Sequence, residues 1–376
     1  MGVHVFVPRW MDRTETNAQN SNARALLSRF CDPHARWTAV CSEKPADSIS
    51  RNGIETIRLS RTRWWNYRLA LSYQRRFDAL FYPGPHWSDE LGMRVRLFSG
   101  RRVPVIATIE GIIAAPHAVR ELSDLVGHPV FSEPFAENTI PRLGWLYGVA
   151  DHIIAISPFL ARVANFLYGD KVSCMPLGIE RDIFHAAGRR EPPRCRVVSC
   201  GTVKSRKNPQ VFLRLAARYK QADFVWFGDG QMLRPLAAEA ERMALENLRF
   251  AGAIEPQLLA EEFRKSSIFV LPSNAEGVPK VTQEAAACGL PIVLNGFYEA
   301  PTVIHKGNGL VAWSEEELVE HVGALIHDSE TRAKMGERGA AMANEWDWNR
   351  IAPQWEELVI RLARSKGPAR QDLIIS

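Results

Sequence analysis

Short apolar runs alternate along this chain with longer, helix-like stretches. In the first half the runs are Val3 to Val7, Thr38 to Val40, Ala79 to Tyr82, Pro104 to Thr108 and His152 to Ile156. Runs of this kind fit strands buried on both faces, and their alternation with helices predicts parallel α/β layers. The rhythm breaks at the polar, proline-containing stretch Ala186 to Arg194, which suits an interdomain linker. It then restarts with Cys195 to Cys200, Asp223 to Phe227, Leu248 to Phe250, Ile268 to Leu271 and Pro291 to Leu294. At 376 residues the chain exceeds a typical single core, so two domains are expected. The expected division is an N-terminal domain over 1–185, a C-terminal domain over 195–347, and a last helix over about 348–364.

The stretch from Ser273 to Pro291 follows one of these apolar runs and carries the most chemistry. It reads Ser-Asn-Ala-Glu-Gly-Val-Pro-Lys-Val-Thr-Gln-Glu, then Ala-Ala-Ala-Cys-Gly-Leu-Pro. Gly277 permits close backbone approach, Pro279 suits a first helical turn, and Gly289 with Pro291 ends a helix of about three turns. Free N–H groups and the positive end of the helix dipole would then point beyond the carboxyl end of the strand, where doubly wound sheets hold ligands. On an unbroken helix Glu276 and Glu284 would stand roughly 12 Å apart along the axis and about 80° apart around it. They are expected to grip two parts of an elongated ligand rather than share a proton.

This Glu-x7-Glu string, with Gly277 and Pro279 after its first glutamate, resembles the signature of the retaining family-4 glycosyltransferases. The resemblance implies the GT-B fold: α/β, two Rossmann-like domains facing across a cleft, with the last helix packing back on the N-terminal domain. It implies that Glu276 contacts the donor sugar, that the backbone of Gly277, Val278, Pro279 and Lys280 meets sugar and phosphate, and that Glu284 holds the ribose. The segment Val197 to Pro209 is similar to the family's basic loop. There Gly201 makes a turn and Arg206 and Lys207 can neutralise a departing diphosphate. Thr202 stands where many members carry arginine, which leaves open whether Arg206 makes the second phosphate contact. Gly228 and Gly230 resemble the family's Gly-x-Gly, which implies a place near the nucleotide base. His305 to Gly309 and the stretches Ala150 to Ser157 and Met175 to Phe184 extend the likeness, with Ser157 a candidate to reach the cleft. At Thr108-Ile109-Glu110-Gly111 the chain departs from the family's Thr-x-His. Glu110 can accept from a sugar hydroxyl or pair with a cation but cannot replace a neutral imidazole donor; His117 is a second candidate. Asn17, Gln19, Asn20 and Asn22, ahead of a helix expected near Ala23, would place amides at an acceptor site.

Composition changes this picture little. Hydrophobic residues at 46% and charged residues at 24% are ordinary for a soluble globular protein. No stretch approaches a membrane span, and Val3 to Pro8 is too short for a signal-peptide core. Six cysteines without metal-type spacing read as reduced, in a cytoplasmic protein. There is no Asp-x-Asp and no His/Cys cluster, so neither a metal nor another cofactor is expected beyond a UDP- or GDP-type sugar as co-substrate. The net charge of +5 is modest, but Arg61, Arg63, Trp64 and Trp65 fall in a basic, aromatic segment. It can lie on an anionic membrane surface, bind an anionic acceptor, or be a helix with an aromatic core side. Nucleic acid is not expected, since no recognised motif accompanies the charge.

The expected activity is transfer of a sugar from a nucleotide-diphosphate sugar to a glycan or lipid-linked acceptor, in polysaccharide or glycolipid synthesis. The protein is expected in the cytoplasm, where it could lie peripherally on the inner face of the cytoplasmic membrane. A sugar-nucleotide epimerase or phosphorylase would share the cleft and the cations. A glycan- or nucleotide-binding protein without catalysis is the third reading.

Overall fold

The structure is a computed structural model and describes residues 2–10, 18–41, 49, 53–58, 77–85, 103–132 and 139–365. The basic, aromatic segment with Arg61, Arg63, Trp64 and Trp65 lies outside the described residues. Two compact units emerge. The first comprises 1–118, 134–177 and 348–376; the second comprises 119–133 and 178–347.

The first unit is built on strands β1 (Val3–Trp10), β2 (Ala35–Cys41), β3 (Glu55–Arg58), β4 (Ala79–Tyr82), β5 (Val105–Ile109), β6 (His152–Ala155) and β7 (Val172–Cys174). They form one seven-stranded parallel sheet in the order β3-β2-β1-β4-β5-β6-β7. All of β4 and β5 is buried, as expected for strands covered on both faces. The last helix, Trp348–Arg364, packs on β1, β5 and the helix Ala18–Leu27. Its buried Glu356 carboxylate accepts from Cys31 N (2.8 Å), Asp32 N (3.1 Å) and Trp37 Nε1 (3.0 Å). A buried carboxylate with this many donors is compensated for its lost hydration. Ser157 proves to be a helix cap: buried at the start of Pro158–Tyr168, its hydroxyl accepts from Leu160 N at 3.1 Å.

The expected polar approach to the first helix is corrected. That helix begins at Ala18 rather than near Ala23, so Gln19, Asn20 and Asn22 are within it, and the Asn20 and Asn22 side chains are buried. Asparagine's low helix propensity is a weak preference that tertiary packing overrides. Asn17 lies outside the described residues.

The second unit holds β8 (Arg196–Cys200), β9 (Asp223–Phe227), β10 (Leu248–Gly252), β11 (Ile268–Leu271), β12 (Ile292–Asn295) and β13 (Gly309–Ala312). Their parallel sheet runs β10-β9-β8-β11-β12-β13. Trp226 and Phe212 meet edge to face, with ring centroids 5.5 Å apart, inside a core drawn from the sheet and its covering helices. The polar stretch Ala186 to Arg194 belongs to this unit and is tied to it by Arg332 Nη2 to Glu191 Oε1 (2.8 Å) and Arg190 N to Arg264 O (3.1 Å). Among the described residues no helix is long and apolar enough to cross a membrane, and all six cysteines are free thiols.

Candidate active site

Strands β8 and β11 are neighbours, pairing Val197 with Ile268 and Val198 with Phe269. The loops that leave their carboxyl ends therefore meet, although some 70 residues separate them in the chain: Asn274 N donates to Arg206 O at 2.9 Å. The β8 loop turns at Gly201 (φ 149°), where an added Cβ would lie 3.2 Å from Lys207 Cε. It runs through a 3₁₀ turn, Ser205–Lys207, before the helix Gln210–Arg218. At the end of β9, Gly228 (φ 130°) lies so close to this loop that a Cβ would be 2.2 Å from Gly201 O. Only glycine permits both that dihedral and that approach. Gly230 likewise lies against Val203 O, so the two glycines support the basic loop. Thr202 at its tip is exposed.

The β11 loop differs from the expected form. The helix starts at Lys280, after Pro279 as its N-cap (φ −72°, ψ 95°), and ends at Ala287. It is two turns rather than three, and Glu276 precedes it in the loop, so the axial spacing expected for Glu276 and Glu284 does not apply. The reason is local: a proline pushes the residue before it out of the helical region, and here that residue is Val278. Asn295 at the end of β12 holds this loop from the other side, its Nδ2 donating to Pro272 O (2.9 Å) and Ser273 O (3.2 Å).

The two loops bring Glu276, Arg206 and Lys207 together. Glu276 Oε1 is 2.6 Å from Lys207 Nζ and Oε2 is 2.9 Å from Arg206 Nη1. Arg206 Nη1 also donates to Ala275 O. All three side chains are largely buried, with 8% of the glutamate, 15% of the arginine and 11% of the lysine side chain exposed. What the sequence presents as two cations in a loop and a carboxylate elsewhere is one charge cluster. Burial works against the charged carboxyl of Glu276, but Lys207 first, then Arg206, and the hydrogen bonds of Lys207 and Ser273 hold it below the ordinary glutamate value. Two desolvated cations beside one carboxylate leave the cluster a net positive charge.

Glu284 has a different environment. It is half-buried on the second turn of Lys280–Ala287, and burial raises its carboxyl, opposed by Lys280 one turn earlier. The Cys200 thiol at the end of β8 is pushed up to about 12 by burial, then by Glu284, with Lys207 acting in the opposite sense. Glu284 and Lys207 thus both act on the end of β8. Gly277 and Val278 are half-buried between them in sequence. Glu110 belongs to the first unit, half-buried just beyond β5, and His117 is exposed in the first turn of Pro116–Val126. Among the described residues no group of three or more His, Cys, Asp or Glu side chains is placed to hold a metal ion.

The sequence analysis missed Tyr298. It follows β12, is fully buried, and its hydroxyl has no hydrogen-bond partner in the protein. An aromatic residue in the turn-rich stretch Gly296 to Pro301 was the available signal.

Two parallel sheets with a polar cluster at the carboxyl ends of the second define an α/β protein of the GT-B class. Residues 180–342 match the model of the family described as "Glycosyl transferases group 1", in line with the resemblance to family-4 glycosyltransferases. The chain is 27% identical over 266 residues to alpha-galactosylglucosyldiacylglycerol synthase of Streptococcus pneumoniae, covering 63% of this chain and 66% of that protein. It is 24% identical to D-inositol 3-phosphate glycosyltransferase of Acidothermus cellulolyticus, covering 57% of this chain and 55% of that one. The chain therefore spans between about half and two thirds of the length of these relatives. The fold matches a crystal structure of HepE from Anabaena in complex with UDP and glucose (TM-score 0.73, 15% identity, 96% of this chain and 99% of that one). It also matches sucrose-phosphate synthase from Thermosynechococcus elongatus (TM-score 0.76, 16% identity, 96% and 99%).

Proposed function

We propose that the chain is a retaining glycosyltransferase that moves a sugar from a UDP- or GDP-type donor to a glycan or lipid-linked acceptor, without a metal ion. The observation that carries this reading is the buried Glu276–Arg206–Lys207 cluster beyond β8 and β11, supported by the match over residues 180–342. Arg206 and Lys207 meet the diphosphate, and Glu276 meets the sugar. Gly277 to Lys280 offer backbone N–H groups at the start of the helix to phosphate and sugar, and Glu284 holds the ribose. In the transfer step the bond from the sugar's anomeric carbon to the diphosphate oxygen breaks, its electron pair leaving on the phosphate. The acceptor hydroxyl bonds to the same carbon on the same face and gives its proton to the departing diphosphate. The two cations stabilise the charge that develops there.

The donor is found by a thermal-shift screen of UDP-, GDP- and ADP-sugars, because a ligand bound only to the folded state raises apparent stability. Transfer of labelled sugar with retained anomeric configuration, seen by NMR of the product, is the expected outcome. Labelled donor turned over without any acceptor would indicate epimerisation or phosphorolysis instead. Binding with no transfer at all would indicate a binding protein.

Lys207→Ala is expected to weaken nucleoside diphosphate far more than nucleoside, because only the former carries the charge that the lysine meets. Calorimetry with both ligands checks this; equal losses would place Lys207 away from the phosphates. The acceptor class favours synthesis of a cell-surface polysaccharide or glycolipid at the inner face of the cytoplasmic membrane. Replacing Arg61, Arg63, Trp64 and Trp65 together should then reduce sedimentation with anionic liposomes and leave donor binding intact.

A further inference from the structure

The hydroxyl of Tyr298 is a buried polar group near the cluster that the proposed mechanism leaves unused. Its side chain is 0% exposed and the oxygen has no partner within the protein. A hydroxyl in that state is destabilising unless something supplies an acceptor. The sheet order places it. Strands run β8-β11-β12, so the loops beyond them are ordered in the same way: the cations Arg206 and Lys207, then Glu276, then Tyr298. Asn295 ties the β12 end to Pro272 and Ser273 of the Glu276 loop, and Tyr298, three residues further on, is close enough to Glu276 and Arg206 for both charges to act on it. Glu276 itself is engaged by Lys207 at 2.6 Å and by Arg206 at 2.9 Å.

We infer that the Tyr298 hydroxyl donates a hydrogen bond to the sugar moiety of the bound nucleotide sugar, on the Glu276 side of the site. The inference rests on the reading that this site takes such a donor. A phenol suits the role because it offers a proton without adding charge beside a carboxylate. Burial, then Glu276, raises its ionisation well above the ordinary tyrosine value, with Arg206 acting in the opposite sense, so the group remains a donor at every working pH. A sugar hydroxyl or ring oxygen is an acceptor of matching chemistry, whereas the diphosphate oxygens are met by the charges of Arg206 and Lys207.

The test is Tyr298→Phe, which deletes one oxygen and keeps the ring. Binding of UDP-glucose, UDP-galactose, UDP-N-acetylglucosamine and GDP-mannose, and of UDP and GDP alone, is measured by calorimetry on both proteins. Affinity for the sugar nucleotide that the unsubstituted protein binds should fall roughly three- to tenfold, while affinity for the matching diphosphate stays within error. The melting temperature of the free protein should be unchanged or higher, since an unpaired buried hydroxyl is removed. A structural tyrosine would give the opposite pattern, a lower melting temperature with unaltered affinity. That result, an unchanged affinity for the sugar nucleotide, or an equal loss for the diphosphate would overturn the inference while leaving the glycosyltransferase reading in place. If the unsubstituted protein bound none of these ligands, both would fall. Should Tyr298→Phe fail to fold, 3-fluorotyrosine incorporated at position 298 strengthens the donor without removing it. Tighter sugar-nucleotide binding with unchanged diphosphate binding is then expected, and no change in either would overturn the proposal.

Discussion

Glu276→Ala is expected to reduce sugar transfer by about 10² to 10³, the loss of roughly 2 to 4 kcal/mol that accompanies removal of a preorganised polar group from a transition state. The structure adds two further results. Glu276 is the carboxylate that neutralises Lys207 and Arg206. Removing one partner of a buried ion pair leaves the other charge uncompensated, typically at about 3 to 5 kcal/mol of folding stability. The same freed cations should bind nucleoside diphosphate at least as tightly as before. A variant that is slower, less stable and yet undiminished in diphosphate affinity is difficult to obtain by general damage, which would weaken all three properties together. Single-turnover transfer, denaturant unfolding and calorimetry with UDP and GDP measure them separately. The pH dependence has a definite sign. Because the folded-state carboxyl is held below its ordinary value, its stabilisation is present above the unfolded value and lost as pH falls through the folded one. Glu276→Ala should therefore flatten the acid limb of the stability profile. Intact turnover, or diphosphate affinity lost in proportion to stability, would defeat the assignment.

The contrast between what the sequence reveals and what it hides follows from where structure is specified. Ile268–Leu271 and Ala79–Tyr82 are legible residue for residue because a strand covered on both faces must be apolar throughout, and Asp223–Phe227 is apolar and buried after its first residue. The strands that escape are edge strands. Glu55–Arg58 is exposed at both ends and only half-buried between them, Val172–Cys174 is never fully buried, and Gly309–Ala312 opens on a glycine. The first two present no uninterrupted apolar run, and that of the third, Leu310 to Ala312, is only three residues long. At the site, residue types were legible: carboxylates in the β11 loop, cations in the β8 loop, glycines where backbones approach. Their pairing was not, since contact between Lys207 and Glu276 depends on which strands are neighbours, a tertiary property that local pattern does not encode. The helix start is a different case. Val278-Pro279 carried the information that Glu276 lies outside the helix; the favourable position of proline in a first turn obscured it.

Glu284→Gln should separate binding from stability in the opposite direction to the first variant. The Glu284 carboxyl is raised by burial, with Lys280 only partly offsetting this. Its sign is therefore the reverse of that of Glu276. A folded-state value above the unfolded one means that the charged form is disfavoured in the fold, and stability increases as pH falls from above the folded value toward the unfolded one. An amide of nearly the same shape removes that buried charge. At neutral pH the ligand-free Glu284→Gln protein should melt no lower than the unsubstituted one, and its stability should vary less with pH in the weakly acidic range. Nucleotide binding should suffer instead. A carboxylate holding ribose hydroxyls accepts charge-assisted hydrogen bonds that an amide reproduces poorly, and the loss is about 1.5 to 3 kcal/mol. That loss should be shared by nucleoside diphosphate and nucleotide sugar alike, because both carry the ribose. For Glu276→Ala the diphosphate is spared. A tightly held charge that weakens the free fold and strengthens ligand binding is the usual exchange at a functional site. Denaturation across pH 4 to 8, run with and without UDP, would expose it: the two proteins should differ least in the absence of nucleotide and most in its presence. If Glu284→Gln lost stability without nucleotide and bound UDP normally, the carboxylate would be a structural group and the ribose would be held elsewhere.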